Sequence, residues 1–109
     1  MNFIKNLFRK RLSQKEQIRL KFRDAFDNCV KSKIVRSAMT GDSFSDGMLV
    51  YAALVNTYDA MKNNEQMQLL SAMCILKDGY DPCVLLDEEL SRALKKYCGM
   101  DNGSDDVYK

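Results

Sequence analysis

The stretch Ser13–Met39 limits most strongly what this chain can fold into. Its apolar side chains recur every three or four residues, which places them on one face of an α-helix. Those side chains belong to Ile18, Phe22, Ala25, Phe26 and Cys29. After them the apolar positions drift, and Lys31–Ser32–Lys33 falls where the pattern changes. The spacing predicts a long amphipathic helix that bends or is interrupted near Ser32.

Both ends of this stretch carry helix signals. Ser13 and Glu16 fit the capping-box pattern, in which the serine hydroxyl accepts from the Glu16 backbone N–H. Gly41, just past the last apolar residue, predicts a left-handed terminator. Between these ends Lys15, Arg19 and Arg23 recur every four residues, so we expect a basic ridge beside the apolar face.

Composition extends this helical prediction to most of the chain. The 109 residues are 46% hydrophobic, with one proline and five glycines to interrupt helices. A chain of this length buries roughly two-thirds of its unfolded surface as one domain. We therefore expect an all-α fold, a compact bundle of four to five helices over residues 1–99, followed by a flexible acidic tail over residues 100–109.

Three further helices are predicted after the basic one. The most hydrophobic segment, Gly47–Asn63, is expected to be the central core helix and to be buried on several sides. Asn64 is expected to cap a helix over Glu65–Lys77 whose inward residues are Met67, Leu70, Met73 and Cys74. Asp81 and Pro82 open the last helix and Gly99 ends it. The inward side chains of that helix are expected to be Leu85, Leu86, Leu90, Ala93, Leu94 and Tyr97.

The first twelve residues, Met1–Leu12, form a short amphipathic pattern of their own. Phe3, Ile4, Leu7 and Phe8 share one face, and cations lie opposite. We expect this face to dock on the core, with binding at a membrane surface as the alternative. No signal peptide is predicted, because the segment has neither a long apolar core nor a cleavage site.

The turn Thr40–Gly47, TGDSFSDG, contains a G-D-S-x-S-D block. This block resembles the first sequence block of the GDSL esterase and lipase family, and the resemblance implies a nucleophilic Ser43. That family supplies its general base from a histidine near the C-terminus, and this chain contains no histidine. A serine without a base is a poor nucleophile at neutral pH. We interpret the block instead as a turn in which Ser43, Ser45 or Asp46 caps the next helix.

No other motif predicts chemistry. The acidic run Asp87–Glu88–Glu89 is expected on a solvated helix face near the helix start, with Glu88 pairing to Arg92 four residues on. The four cysteines lack the spacing of a zinc site and are expected to be reduced. They are Cys29, Cys74, Cys83 and Cys98. We therefore predict a non-enzymatic protein without metal or cofactor.

The charge of the chain is unevenly distributed. Residues 1–36 carry eleven basic against three acidic residues, a net of +8, and residues 37–109 carry six against twelve, a net of −6. Such polarity favours an acidic partner for the first half. The alternative is that the two halves compensate each other on folding.

The sequence predicts a small cytoplasmic adaptor or inhibitor that docks a basic N-terminal surface on an acidic macromolecule. Nonspecific binding to the phosphate backbone of nucleic acid and membrane-peripheral binding are the alternatives. A homo-oligomer and a viral or mobile-element origin stay open. The expected partner-binding residues are Arg9, Lys10, Arg11, Lys15, Arg19, Lys21 and Arg23.

Overall fold

The computed structural model describes residues 13–99, and these residues form an all-α bundle. Five helices follow one another within this range. They are α1 (Gln14–Val30), α2 (Lys33–Ser37), α3 (Ser43–Lys62), α4 (Glu65–Asp78) and α5 (Pro82–Cys98). The predicted fold class is therefore confirmed. The predictions for Met1–Leu12 and for the tail over residues 100–109 lie outside the described residues.

The core lies between α1, α3 and α5, which pack against one another. Arg19 of α1 contacts Glu88 of α5, and Asp27 lies at Tyr97, so α1 and α5 run in the same direction. Helix α3 runs antiparallel to α5, because Gly47 lies at Cys98 and Tyr58 lies at Asp87. The largest fully buried apolar side chains of this core include Phe26, Leu54 and Leu86.

The amphipathic stretch is divided into two helices, as its drifting apolar pattern predicts. Ser13 caps α1 by accepting from the Glu16 N–H at 3.2 Å, and Ile18, Phe22 and Phe26 are buried. Ser32 then caps α2 by accepting from the Val35 N–H. Because the Ser32 side chain satisfies a backbone N–H at the start of α2, the break between α1 and α2 leaves that group paired. The predicted end was wrong, because α2 stops at Ser37 and Gly41 lies in the following turn.

The start of α3 differs from its predicted start. The cap is Asp42, which accepts from the Ser45 N–H at 2.8 Å, and the helix begins at Ser43 rather than at Gly47. Asp46 instead accepts from the backbone N–H groups of Thr40 and Gly41. The turn offers several side chains that can cap, and the backbone path decides among them.

The later helix boundaries agree with their predictions. Asn64 caps α4 by accepting from the Gln66 N–H, and Gly79 ends it with φ +72°. Asp81 caps α5 by accepting from the Cys83 N–H at 2.9 Å, and Gly99 ends it in the left-handed region. These caps and terminators depend on neighbouring residues in the sequence, so they do not depend on how the helices pack.

The predicted burial was wrong on two helices. Helix α3 buries Val50 and Leu54 and leaves Met48 more than half exposed, so it is covered on one side rather than on several. Helix α4 buries Met67 and Cys74 but leaves Met73 63% exposed. Within residues 13–99 no helix is long and apolar enough to cross a membrane.

Candidate binding surface

Some cations of the basic ridge of α1 contact another helix, and others are exposed to solvent. Arg19 and Arg23 turn towards α5, whereas Lys15 and Lys21 are exposed. The amino group of Lys15 lies over the ring of Tyr80, 5.6 Å from its centroid. Of the predicted partner-binding residues, Arg9, Lys10 and Arg11 lie outside the described residues.

Glu89 is the residue that holds the two arginines. Its side chain comes from the buried face of α5 and the residue is only 3% exposed. Arg23 binds both carboxylate oxygens, Nε to Oε1 at 3.0 Å and Nη2 to Oε2 at 3.1 Å. Arg19 reaches Oε2 at 3.3 Å. A buried carboxylate requires such partners, since leaving the charge unpaired would cost several kcal/mol.

Two more groups complete this Glu89 cluster, which we define as Arg19, Arg23, Glu88, Glu89 and Arg92. The Nη2 atom of Arg19 lies 2.8 Å from Oε1 of Glu88. Arg92 Nε lies 3.9 Å from Glu89. The predicted pairing was therefore wrong: Glu88 pairs with Arg19 across the helix interface, and Arg92 approaches Glu89 on its own helix.

The ionisation of the cluster follows from these contacts. Burial raises the pKa of Glu89, but the hydrogen bonds from Arg23 and Arg19 outweigh it, so the pKa lies below its ordinary value. The hydrogen bond to Glu89 raises the pKa of Arg23 against the opposing effect of burial. Glu89 and Arg23 are therefore both charged at neutral pH, and their ion pair connects α1 to α5.

A second polar contact continues the same interface towards the ends of the two helices. The hydroxyl of Tyr97 donates to Oδ1 of Asp27 at 2.6 Å. Burial and this hydrogen bond raise the pKa of Tyr97 to about 12. Residues 19, 23 and 27 of α1 thus lie four apart along one face and all contact α5.

Apart from Lys15 and Lys21, the exposed cations of residues 13–36 lie on α2 or just before it. Lys31, Lys33 and Arg36 are exposed, and Ile34 between them is 82% exposed. Val35 is buried and anchors the helix on the core. An exposed apolar side chain on a segment with three exposed cations suits a small protein interface, which combines an apolar centre with a polar rim.

Two grooves open on the surface of the described residues. A groove of about 490 Å³ lies where α1, α3 and α4 meet, lined by Phe22, Met61, Met67 and Leu70 among others. A second, of about 420 Å³, lies at the start of α3. Its lining includes Ser43, Phe44, Met48 and Cys98. Both linings are mainly apolar and suit side chains of a partner better than a charged substrate.

Ser43 does not lie in the surroundings that the esterase resemblance implies. Helix α2 and a turn precede it, whereas that family places the block after a buried β-strand. Asp42 is occupied in capping, and the Ser45 N–H holds its pKa below the ordinary value. The Asp42 cap and the first turn of α3 account for these residues.

No metal-binding group of histidine, cysteine and acidic side chains occurs within residues 13–99. The four cysteines, all in this range, form no disulfide bond. The thiol of Cys74 is buried. Burial raises the pKa of the Cys98 thiol, which makes it less reactive.

Sequence reasoning missed Glu89 and Ile34. A signal for Glu89 was present, because it lies three residues after Leu86 and four before Ala93, on the face that both share. Because Glu89 belongs to an acidic run, the whole run was assigned to a solvated face. For Ile34 no signal existed, since its apolar side chain fits a helical pattern on either face.

Comparison of the chain with protein-family models, curated proteins and solved structures finds no match. Function is therefore inferred from the surface described above.

Proposed function

We propose that this protein is a non-enzymatic binding protein, an adaptor or inhibitor, that docks on an acidic protein surface through α2. The carrying observation is Ile34, 82% exposed, on a short segment that also carries the exposed Lys31, Lys33 and Arg36. We name these four residues the α2 patch. Hydrating a largely exposed isoleucine side chain is unfavourable, so a partner that covers Ile34 gains binding free energy.

The charge of the patch selects the partner. Three cations within six residues favour acidic side chains at the rim of the contact, and Ile34 favours an apolar side chain at its centre. An amphipathic acidic segment, with leucine-like and carboxylate side chains alternating by face, combines both. We keep Lys15 and Lys21 of α1, together with Arg9, Lys10 and Arg11, as further candidates for contact with the same partner.

Arg19 and Arg23 are left out of the proposed surface. Their guanidinium groups already bind Glu89 and Glu88, and a partner would have to displace those contacts. This also weakens the nucleic-acid alternative, because the continuous row of cations that would follow a phosphate backbone is interrupted.

The test measures binding of an acidic amphipathic helical peptide by fluorescence anisotropy, with duplex DNA and anionic phospholipid vesicles as parallel probes. We expect the peptide to bind and the variant Lys31→Glu/Lys33→Glu to weaken binding by at least about tenfold. The matched control is Lys95→Glu/Lys96→Glu, which changes the net charge equally at two exposed lysines of α5. The control is expected to bind as the unmodified protein does.

Three outcomes would overturn the proposal. Equal loss in both variants shows a response to net charge alone. Binding of DNA but not of the peptide, with a steep fall as salt rises, supports the nucleic-acid alternative. Binding of vesicles alone, lost on deletion of residues 1–12, supports the membrane alternative.

A further inference from the structure

Helix α4 carries a row of exposed apolar side chains on the side away from the core. Leu69, Met73 and Leu76 are 65%, 63% and 87% exposed, and Ala72 between them is exposed as well. Their spacings of three and four place them on one face of the helix. We name these four residues the α4 stripe. Surface leucines occur singly in monomers, but a continuous row along a helix marks an interaction site.

The opposite face of the same helix explains why the stripe is uncovered. Met67 and Cys74 are buried and attach α4 to the bundle. The groove lined by Leu70, Met67 and Phe22 lies on this attached face, where α4 meets α1 and α3. The α4 stripe is therefore the remaining face of a helix already fixed in place, so no ordering of the backbone opposes binding.

We propose that two copies of this chain associate through the α4 stripe, with the two α4 helices antiparallel about a two-fold axis. Such a contact is self-complementary, as an isologous interface requires. With the axis between Ala72 and Met73, Leu69 of each copy lies over Leu76 of the other. The row is symmetric in this sense, with a leucine at each end and smaller or more flexible side chains at the centre.

The charges on α4 fit this second copy. Glu65 lies in the first turn and Lys77 in the last turn, and both are exposed. Antiparallel pairing brings the Glu65 end of each helix to the Lys77 end of the other, and it also opposes the two helix dipoles. Asp78 lies about 170° around the helix from the stripe, away from the contact. Residues 13–99 carry twelve basic and twelve acidic residues, so two copies meet without net repulsion between these regions.

The association is measured by sedimentation equilibrium on the full chain under reducing conditions. The concentration range is about 10 μM to about 1 mM, since a contact between two single helices is small and binds weakly. We expect a concentration-dependent dimer. Leu76→Glu is expected to weaken it by at least about tenfold, because it places like charges at both ends of the contact. Ile34→Glu, a matched change at an equally exposed site on α2, is expected to leave it unchanged.

Charge exchange distinguishes this geometry from another dimer. Glu65→Lys and Lys77→Glu are each expected to weaken the dimer, and the variant with both changes is expected to recover it. Circular dichroism confirms that each variant keeps its helices. A monomer at every concentration overturns the proposal, as does a dimer that Leu76→Glu leaves intact or that the paired charge exchange fails to restore. None of these outcomes bears on binding by the α2 patch.

Discussion

At the scale of single residues, Glu89 differs most from what its place in the sequence suggests. It lies in an acidic run, yet it is almost fully buried between two arginines of another helix. Buried ion pairs contribute little net stability compared with an apolar contact, but removing one member leaves the others unpaired. The cluster therefore fixes how α1 sits on α5 more than it adds to the total free energy of folding.

Stability at acidic pH tests the charge of Glu89. Its folded-state pKa lies below the ordinary value of 4.5, so its contribution is present above that value and is lost as pH falls through the folded-state pKa. We expect Glu89→Gln to lower the free energy of unfolding by about 2 kcal/mol at neutral pH, because the amide keeps an acceptor but not the charge. The difference from the unmodified protein should shrink below pH 4.5.

The measurement is urea unfolding followed by circular dichroism across this pH range. Asp42 and Asp81 also have lowered pKa values, but both proteins contain them, so the difference isolates Glu89. A difference that is constant with pH would show that Glu89 is not charged in the folded protein.

At the scale of helices, the boundaries of α4 and α5 depend on short-range contacts that the sequence displays. The capping hydrogen bonds of Asn64 and Asp81 lie within two residues of the cap, and Pro82 acts at its own position, so the sequence predicts these boundaries correctly. The start of α3 was not predicted because Asp42, Ser43, Ser45 and Asp46 all suit a cap. Only the turn from Ala38 to Gly41, which places Asp46 on the backbone of Thr40, decides among them.

The cap of α5 provides a test at this scale. Asp81 accepts from the Cys83 N–H and from the Ser71 hydroxyl, and the hydrogen bond from Ser71 lowers its pKa most. We expect Asp81→Ala to lower the free energy of unfolding by about 1 kcal/mol and Asp81→Asn to cost less, because asparagine also caps.

Chemical denaturation of these variants is compared with Asp59→Ala, which removes an exposed carboxylate from the interior of α3. The control is expected to change stability by no more than about 0.5 kcal/mol. Equal losses for Asp81→Ala and Asp59→Ala would show that Asp81 contributes only its charge.

At the scale of the whole molecule, the sequence predicted the fold class and most helices but not which faces would be covered. Apolar spacing places Met67 and Met73 of α4 alike on an apolar surface, yet the first is buried and the second exposed. Which side of a helix meets a neighbour depends on packing among distant segments. The same limit applies to Arg19 and Arg23, whose partner Glu89 lies about seventy residues away.

The uneven charge of the chain can also be explained only from the whole fold. The sequence left two alternatives, an acidic partner and internal compensation, and each applies to a different set of cations in the first half. Arg19 and Arg23 contact the acidic second half within the bundle. Lys31 and Lys33 lie exposed beside Ile34, where we propose that a partner binds.

The most direct test of this division compares the free energies of unfolding of two double variants in urea. Arg19→Gln/Arg23→Gln removes the two α1 cations from the Glu89 cluster, and Lys31→Gln/Lys33→Gln removes two cations from the α2 patch. We predict a loss of about 3 kcal/mol for the arginine pair, which leaves a buried carboxylate without its charged partners on α1. The lysine pair is expected to stay within about 0.5 kcal/mol of the unmodified protein. Equal losses for the two variants would contradict the division of roles.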